Sequence, residues 1–203
     1  MGDNTPLRIA ITPAEPFQDE ALWIKTILEA GWDYVHLRHP SATLRDVKAV
    51  IERVPTRLHS RLRLHGHFEL LNEFNLGGIH LNSRCPEAPP MYRGAVSRTC
   101  HTVEEVETYK DSHDYLTLSP IFPSISKPGY SAEFTDSQLL ALPEGKVVAL
   151  GGITPERLPE LSAYPFKGYA VLGYLFGAQS LDDLRSRLTH FPPLNSDQLN
   201  SDN

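Results

Sequence analysis

The sequence predicts an α/β chain folded as a single (β/α)8 TIM barrel, and three observations predict it. Eight short apolar runs recur along the chain. Segments with helical spacing or helix-start signals separate most of them, and parallel strands need crossover connections of that kind. No Gly-x-Gly-x-x-Gly follows the first run, where an open dinucleotide-binding sheet would carry it. Eight such units in roughly 190 residues close as a compact barrel, slightly below the usual size. An open doubly wound sheet is the structural alternative.

The first strand is expected over Leu7–Ile11. A helix over Asp19–Ala30 follows, with Leu22, Trp23, Ile27 and Ala30 on one face, and Gly31 closes it. The second strand is Tyr34–Leu37. The second helix, Thr43–Val54, is capped by Thr43 and stopped before Pro55. Leu62–Leu64 is the third strand and Phe68–Phe74 a short helix. Gly78–Leu81 and Gly94–Val96 are the next two strands. The Thr102–Lys110 helix opens on Thr-Val-Glu-Glu, which predicts a capping box between Thr102 and Glu105. Tyr115–Leu118 is the sixth strand, followed by a long loop to Ser131. Val147–Leu150 and Gly168–Leu172 complete the set, each followed by a helix, Pro155–Ser162 and Ser180–Leu188. Residues 1–190 are expected to make the barrel, and 191–203 a polar tail.

Composition narrows the function classes. A net charge of −6 argues against a duplex nucleic-acid binder, which needs a basic face. No apolar run approaches the roughly 18 residues needed to span a bilayer. Met1–Pro6 is short and polar, unlike a signal peptide. Cys85 and Cys100 match neither a disulfide framework nor a zinc motif. The expectation is a reduced, cytoplasmic protein that acts on a small molecule, with neither nucleic acid nor membrane as partner. Oligomeric state stays open.

Active sites of such barrels lie at the carboxyl ends of the strands. Reading the residues after each strand gives His36, Arg38 and His39 after the second, and His65, Gly66 and His67 after the third. Asn82, Ser83 and Arg84 follow the fourth, Thr99 and His101 the fifth. Ser119 and then Pro123–Lys127, which contains Ser124, Ser126 and Lys127, follow the sixth. Gly151 and Gly152 follow the seventh strand, Gly173 and Tyr174 the eighth. Arg38, Arg84 and Lys127 suit an anion. Glycine turns after the last two strands suit a phosphate, because backbone amides there can approach it closely. His36 and His65 stand at adjacent strand ends, and imidazole is the side chain tuned to neutral pH. Plainer readings exist for several groups. His80 reads as a satisfied core ring, His101 as a helix cap, and His59, His113 and His190 as solvated residues away from the rim. Arg38 could belong to a structural ion pair.

Several stretches then resemble one family in order and spacing. Ser119-Pro-Ile-Phe-Pro-Ser-Ile-Ser-Lys127 resembles the Gly-Pro-Ile-Phe-Pro-Thr-x-Thr-Lys loop of thiamine phosphate synthases. His36-Leu-Arg38 resembles the family's Gln-x-Arg, Gly78-Ile-His-Leu81 its Gly-Val-His-Leu, and Thr99-Cys-His101-Thr-Val-Glu-Glu105 its Ser-x-His-x-x-x-Glu. Val148-Ala-Leu-Gly-Gly-Ile153 and Gly168-Tyr-Ala-Val171 match the last two strand signatures. The chain is similar to the thiamine phosphate synthase/TenI family over residues 7 to about 188. The resemblance implies thiamine biosynthesis and a small phosphorylated thiazole as substrate. In the synthase branch it also implies a pyrimidine diphosphate, with diphosphate held by the Ser/Thr-Lys loop and the second-strand cations. There, Mg2+ is held by aspartates after strands three and four.

Here the sequence departs. The family's Asn-Asp is His65-Gly66, its second aspartate falls near Cys85, and its second-strand lysine is Pro40. Mg2+ prefers hard oxygen ligands, so the chain itself is expected to hold no metal, and Mg2+ enters only on the synthase reading. The TenI branch, which tautomerises a thiazole phosphate carboxylate, also carries glycine where Gly66 stands, but its loop histidine aligns with Pro120. The favoured expectation is a TenI-like isomerase, with His36, His65 and Arg38 catalytic and His67, Thr99, Ser124, Ser126, Lys127, Gly151, Gly152 and Gly173 binding substrate. The synthase, a transferase, and a non-catalytic thiazole or thiamine phosphate binder are the rivals.

Overall fold

The computed structural model describes residues 5–123 and 134–191. Eight parallel strands close a barrel in chain order, β1 to β8, with β8 pairing back onto β1. They are β1 Leu7–Ile11, β2 Tyr34–Leu37, β3 Leu62–Leu64, β4 Gly78–Leu81, β5 Val96–Cys100, β6 Tyr115–Leu118, β7 Val147–Leu150 and β8 Gly168–Val171. The open-sheet alternative is excluded by this closure. Among the described residues no helix is long and apolar enough to cross a membrane.

The helices are α1 Glu20–Glu29, α2 Leu44–Arg53, α3 Val103–Tyr109, α4 Asp136–Leu140, α5 Leu158–Leu161, α6 Gly173–Phe176 and α7 Leu181–Thr189. α1 turns Ala21, Ile24, Ile27 and Leu28 inward and ends where Gly31 takes φ +89°. Thr43 and Asp46 form a complete capping box on α2. The box expected on α3 is only half made. Thr102 accepts from the Glu105 amide, but the Glu105 carboxylate reaches one residue further back, to the His101 amide at 2.6 Å. The crossovers from β3 to β5 are thin. Short 3-10 turns flank β3, over Thr56–Arg61 and Phe68–Asn72, and a proline-rich loop leads from β4 to β5.

β5 is Val96–Cys100, not Gly94–Val96. Its Ser-Arg-Thr centre lacks the apolar run of a buried strand, and the reason lies inside the barrel, as described below. His59 is not solvated. It is buried, and its Nε2 serves the carbonyls of Ile51 at 3.1 Å and Val54 at 2.9 Å, where it closes the carboxyl end of α2.

Side chains alternate across each strand, so one set faces the helices and the other fills the barrel. The outer set, from Ala10, Val35, Leu37, Leu62, Leu64, Leu116, Leu118, Val147 and Ala149 to the helix faces, is one continuous apolar core. The inner set is divided. Ile9 and Ile11 of β1, Val148 and Leu150 of β7, and Ala170 of β8 make an apolar half. β2 to β6 supply Tyr34, His36, Arg63, His80, Ser97, Thr99, Tyr115 and Thr117 instead, and His36 lies in register with Arg63 across β2 and β3. Barrel interiors are ordinarily packed with branched aliphatic residues. Here half the interior is polar, and the polar half opens at the carboxyl ends of the strands.

Candidate active site

At the centre of the mouth three imidazoles pack face to face and edge to face. His36 from β2 is fully buried, His65 just past β3 is half-buried, and His80 from β4 is buried. The His65 and His80 rings stack with centroids 4.3 Å apart, and His36 lies 4.8 Å from His80. His36 Nδ1 meets His65 Nε2 at 2.9 Å, and His36 Nε2 meets the Tyr115 hydroxyl at 2.7 Å. His80 Nδ1 meets the Ser97 hydroxyl at 2.8 Å, and its Nε2 meets the Thr99 hydroxyl at 2.8 Å. Asn82 ties the ends of β3 and β4 together, its amide donating to the carbonyls of His65 at 2.8 Å and His80 at 3.2 Å. His80 is therefore a satisfied buried ring, as expected, and also a member of the central cluster.

The electrostatics hold these rings neutral. Burial pushes the His36 pKa well below the ordinary histidine value, and His80, His65 and Arg63 add to it. Burial likewise pushes His65 well down, helped by His80 and the Arg38 guanidinium. His80 is pushed down to about 3 by burial and then by Arg63, His113 and Arg98. Burial also drives the Tyr115 phenol upward, so it stays protonated. Arg63 lies under the cluster, its guanidinium 4.3 Å from the Tyr34 ring centre and 5.3 Å from that of Tyr115.

Arg38 stands at the rim. Its backbone N–H donates to Thr12 Oγ1 at 2.8 Å, and Arg84 is close enough to oppose its charge. Neither arginine makes an ion pair with a described carboxylate. Two uncompensated guanidinium groups at the mouth suit an anionic ligand. Beneath Arg38, the buried His39 ring sits 3.2 Å from the buried Glu20 carboxylate and anchors this turn to α1.

Other expected residues are placed differently. His67 takes the left-handed conformation at φ 51° and bonds the Ala42 carbonyl at 2.9 Å. It lines, with Cys85, Phe68, Leu71, Met91 and Tyr92, a cavity of about 830 Å³ that shares no residue with the imidazole cluster. Thr99 lies within β5 rather than after it, and its hydroxyl enters the cluster. His101 is exposed, with Nδ1 3.0 Å from the Ser119 carbonyl. Ser124, Ser126 and Lys127 lie outside the described residues. Gly151 and Gly152 both take positive φ, +94° and +65°. A Cβ on Gly152 would stand 2.7 Å from the Pro123 carbonyl, so close packing against the β6 loop alone requires glycine there. Gly173 opens α6, and a Cβ on it would meet nothing within 4 Å, which leaves room before that turn of backbone amides.

The Mg2+ that the resemblance implies does not fit these residues. A Cβ on Gly66 would lie 3.7 Å from Cys85 Sγ, so the two positions face each other. They offer a thiol and a hydrogen where Mg2+ requires oxygen. Among the described residues the group nearest to a metal site is the histidine trio, with one ligand atom from each within 4.8 Å of the others. Imidazole suits Zn2+ or its neighbours. Yet His36 Nδ1 and His65 Nε2 already hydrogen-bond each other at 2.9 Å, and Arg63 and Arg38 would repel a dication. His36 and His65 are a hydrogen-bonded pair, while His80 packs against both rings and bonds Ser97 and Thr99.

A closed parallel barrel with titratable and cationic side chains gathered at its carboxyl end has the architecture of a (β/α)8 barrel enzyme. The chain belongs to the thiamine monophosphate synthase family, whose TMP-TENI family model matches residues 9–175. It is 27% identical to the thiamine-phosphate synthase of Yersinia pestis (strain Pestoides F) over 191 residues, 86% of this chain and 87% of that protein. The crystal structure of thiamine phosphate pyrophosphorylase from Bacteroides thetaiotaomicron is similar at 33% identity and TM-score 0.82, covering 91% of this chain and 94% of that one. Thiamine phosphate pyrophosphorylase from Pyrococcus furiosus, at 18% identity and TM-score 0.71 over 91% and 92% of the two chains, shares the fold. The family is one of thiamine-biosynthesis enzymes.

Proposed function

We propose that the protein is a thiazole tautomerase of the TenI kind, an isomerase that moves a proton on a thiazole phosphate carboxylate. One observation carries the reading: where the family's metal carboxylates are replaced, the mouth holds a neutral, hydrogen-bonded imidazole pair, His65 and His36. An unprotonated imidazole is a base ready to accept a proton. His65 faces the mouth and meets the substrate. His36 is wholly buried, so its role is to orient His65 from behind and exchange protons with it. Arg38, with Arg84 beside it, takes the carboxylate. The amides near Gly151, Gly152 and Gly173 take the phosphate.

The synthase is the second reading, because the similar proteins named above are synthases and pyrophosphorylases. Two incubations separate them. One supplies hydroxymethylpyrimidine diphosphate, thiazole phosphate and Mg2+ and follows thiamine phosphate. The other supplies the thiazole phosphate carboxylate alone and follows its isomerisation. Turnover in the second without the first is expected. Thiamine phosphate in the first would defeat the tautomerase reading, and turnover in neither would leave a binder.

Two further outcomes belong to this site. Calorimetry of the free protein with Mg2+ is expected to show no sub-millimolar site, since Gly66 and Cys85 supply no carboxylate. The phosphate position is tested by Gly173→Ala. The methyl meets no protein atom, so folding should be unaffected, but it stands where the phosphate would come. Losing a charge-assisted hydrogen bond there costs roughly 1.5–3 kcal/mol, or about 10- to 150-fold in Kd for the thiazole phosphate. Unchanged affinity, or phosphate density elsewhere in the mouth of a soaked crystal, would refute the placement.

A further inference from the structure

β3 and β4 are the most briefly paired neighbours in the barrel. Only Arg63 with Gly78 and Leu64 with Ile79 stand in register, whereas each other pair runs over three or four positions. His65 and His80 lie just beyond this short ladder, and their stacked rings need the two strand ends held together there. The His65 amide turns the other way, donating to the Leu37 carbonyl of β2 at 3.2 Å. A side chain supplies the missing rung. Asn82 Nδ2 donates to the His65 carbonyl at 2.8 Å and to the His80 carbonyl at 3.2 Å.

The other end of the same carboxamide serves the loop after β4. Asn82 Oδ1 accepts from the backbone amides of Arg84 at 3.0 Å and Cys85 at 3.3 Å. Asn82 and Cys85 close the turn with reciprocal backbone bonds, both 3.1 Å. A carboxamide offers two N–H groups and an oxygen with two lone pairs, so two donations and two acceptances fill it. Arg84 itself is exposed and makes no ion pair with a described carboxylate, so the turn that holds its backbone is what aims it.

We propose that Asn82 is a positioning residue, whose carboxamide fixes the spacing between the base, His65, and the anion-holding Arg84. The proposal rests on the tautomerase reading and adds how its two subsites are kept in register. A ligand seated on the arginines meets the His65 ring only if the β3 end and the β4 loop hold one geometry, and a misplacement of roughly 1 Å can cost about 100-fold in rate. Asparagine is the residue that does both jobs. Aspartate and serine also accept from amides in such a turn. Aspartate has no donor, however, and the single short hydroxyl of serine cannot bridge two strands. The plainer reading is that Asn82 only shapes the turn, and on that reading either replacement is harmless.

The test therefore uses both. Asn82→Asp and Asn82→Ser, each checked for folding by thermal melting, keep an acceptor for the loop amides and lose the donations to His65 and His80. Each is expected to lower kcat for tautomerisation about 10- to 100-fold with KM held within about two-fold. Arg84→Met should do the reverse, raising KM with kcat held. Asn82→Ala loses both ends, so kcat should fall and KM rise. The Asn82→Ala/Arg84→Met double variant should then have the KM of Arg84→Met alone, because Asn82 reaches the anion only through Arg84. Wild-type kcat in the Asp and Ser variants, or KM effects that add in the double variant, would overturn the proposal. Nuclear Overhauser contacts between the His65 and His80 rings of the ligand-free protein read the bridge without turnover. They should weaken in Asn82→Asp and Asn82→Ser and persist in Arg84→Met. Unchanged contacts in the Asp and Ser variants would overturn the proposal even if the wild type isomerises thiazole. Weakened contacts beside a wild type that does not isomerise would instead fail the tautomerase reading alone.

Discussion

Replacing His65 by asparagine is expected to cut tautomerisation by roughly 100-fold or more, the usual contribution of a general acid/base, with little change in ligand affinity. His65 has one ring nitrogen engaged by His36 and the other turned toward the mouth. Asparagine keeps a hydrogen-bonding head of similar reach but cannot accept and release a proton near neutral pH. His36→Gln is expected to have a comparable effect through His65, because the buried ring behind it no longer takes up the displaced proton. The pH profile adds a check. The base form is the unprotonated ring, so activity rises with pH through the His65 pKa and is flat above it. Because burial and the neighbouring cations press that pKa well below 6.5, the rate should already be flat from about pH 8 down to pH 6. If both rings only position ligand, affinity falls and the rate of the bound complex holds. That pattern in single-turnover kinetics would defeat the assignment.

Much of the frame was legible in the sequence because buried parallel strands read as apolar runs. β1, β2, β3, β4, β6 and β7 match the expected spans residue for residue. β5 escapes the apolar-run pattern for the same reason the site exists. Ser97 and Thr99 face inward to serve His80, so the strand carries hydroxyls where apolar residues would have announced it. His36 and His65 were legible as strand-end histidines. Their partners Tyr115 and Ser97 were not, since a tyrosine and a serine within strands ordinarily read as packing. A period-two count would have found them. The inward positions of β2 to β6 spell Tyr34, His36, Arg63, His80, Ser97, Thr99 and Tyr115, while those of β1 and β7 spell Ile9, Ile11, Val148 and Leu150. His67 could not be placed from the sequence, because its turn toward the Ala42 carbonyl depends on a left-handed backbone that no neighbouring residue signals.

The same buried histidines should make the fold unusually sensitive to acid. His36, His65 and His80 are all pressed below their ordinary value, His80 to about 3, with burial the largest cause in each. In the unfolded chain they return to about 6.5. Below that pH the unfolded state binds protons that the native state refuses, so stability is full above about pH 6.5 and falls as pH falls toward the native values. Each such group contributes a slope of up to about 1.4 kcal/mol per pH unit, and three together about 4 kcal/mol per unit. A domain with roughly 5–15 kcal/mol of stability would lose most of it within two or three units. Urea denaturation at pH 7.5, 6.5, 5.5 and 4.5 is therefore expected to show little change over the first step and a steep loss thereafter, before most carboxylates titrate. The slope also tests the cluster residue by residue. His80→Gln, whatever its absolute stability, should lower the slope between pH 6 and 4.5 by about a third, because one of the three protons is no longer taken up on unfolding. A stability that stays flat from pH 6.5 to 5, or a slope that His80→Gln leaves unchanged, would mean that the rings accept protons in the native barrel, and His65 would then work as a charged acid rather than as a neutral base.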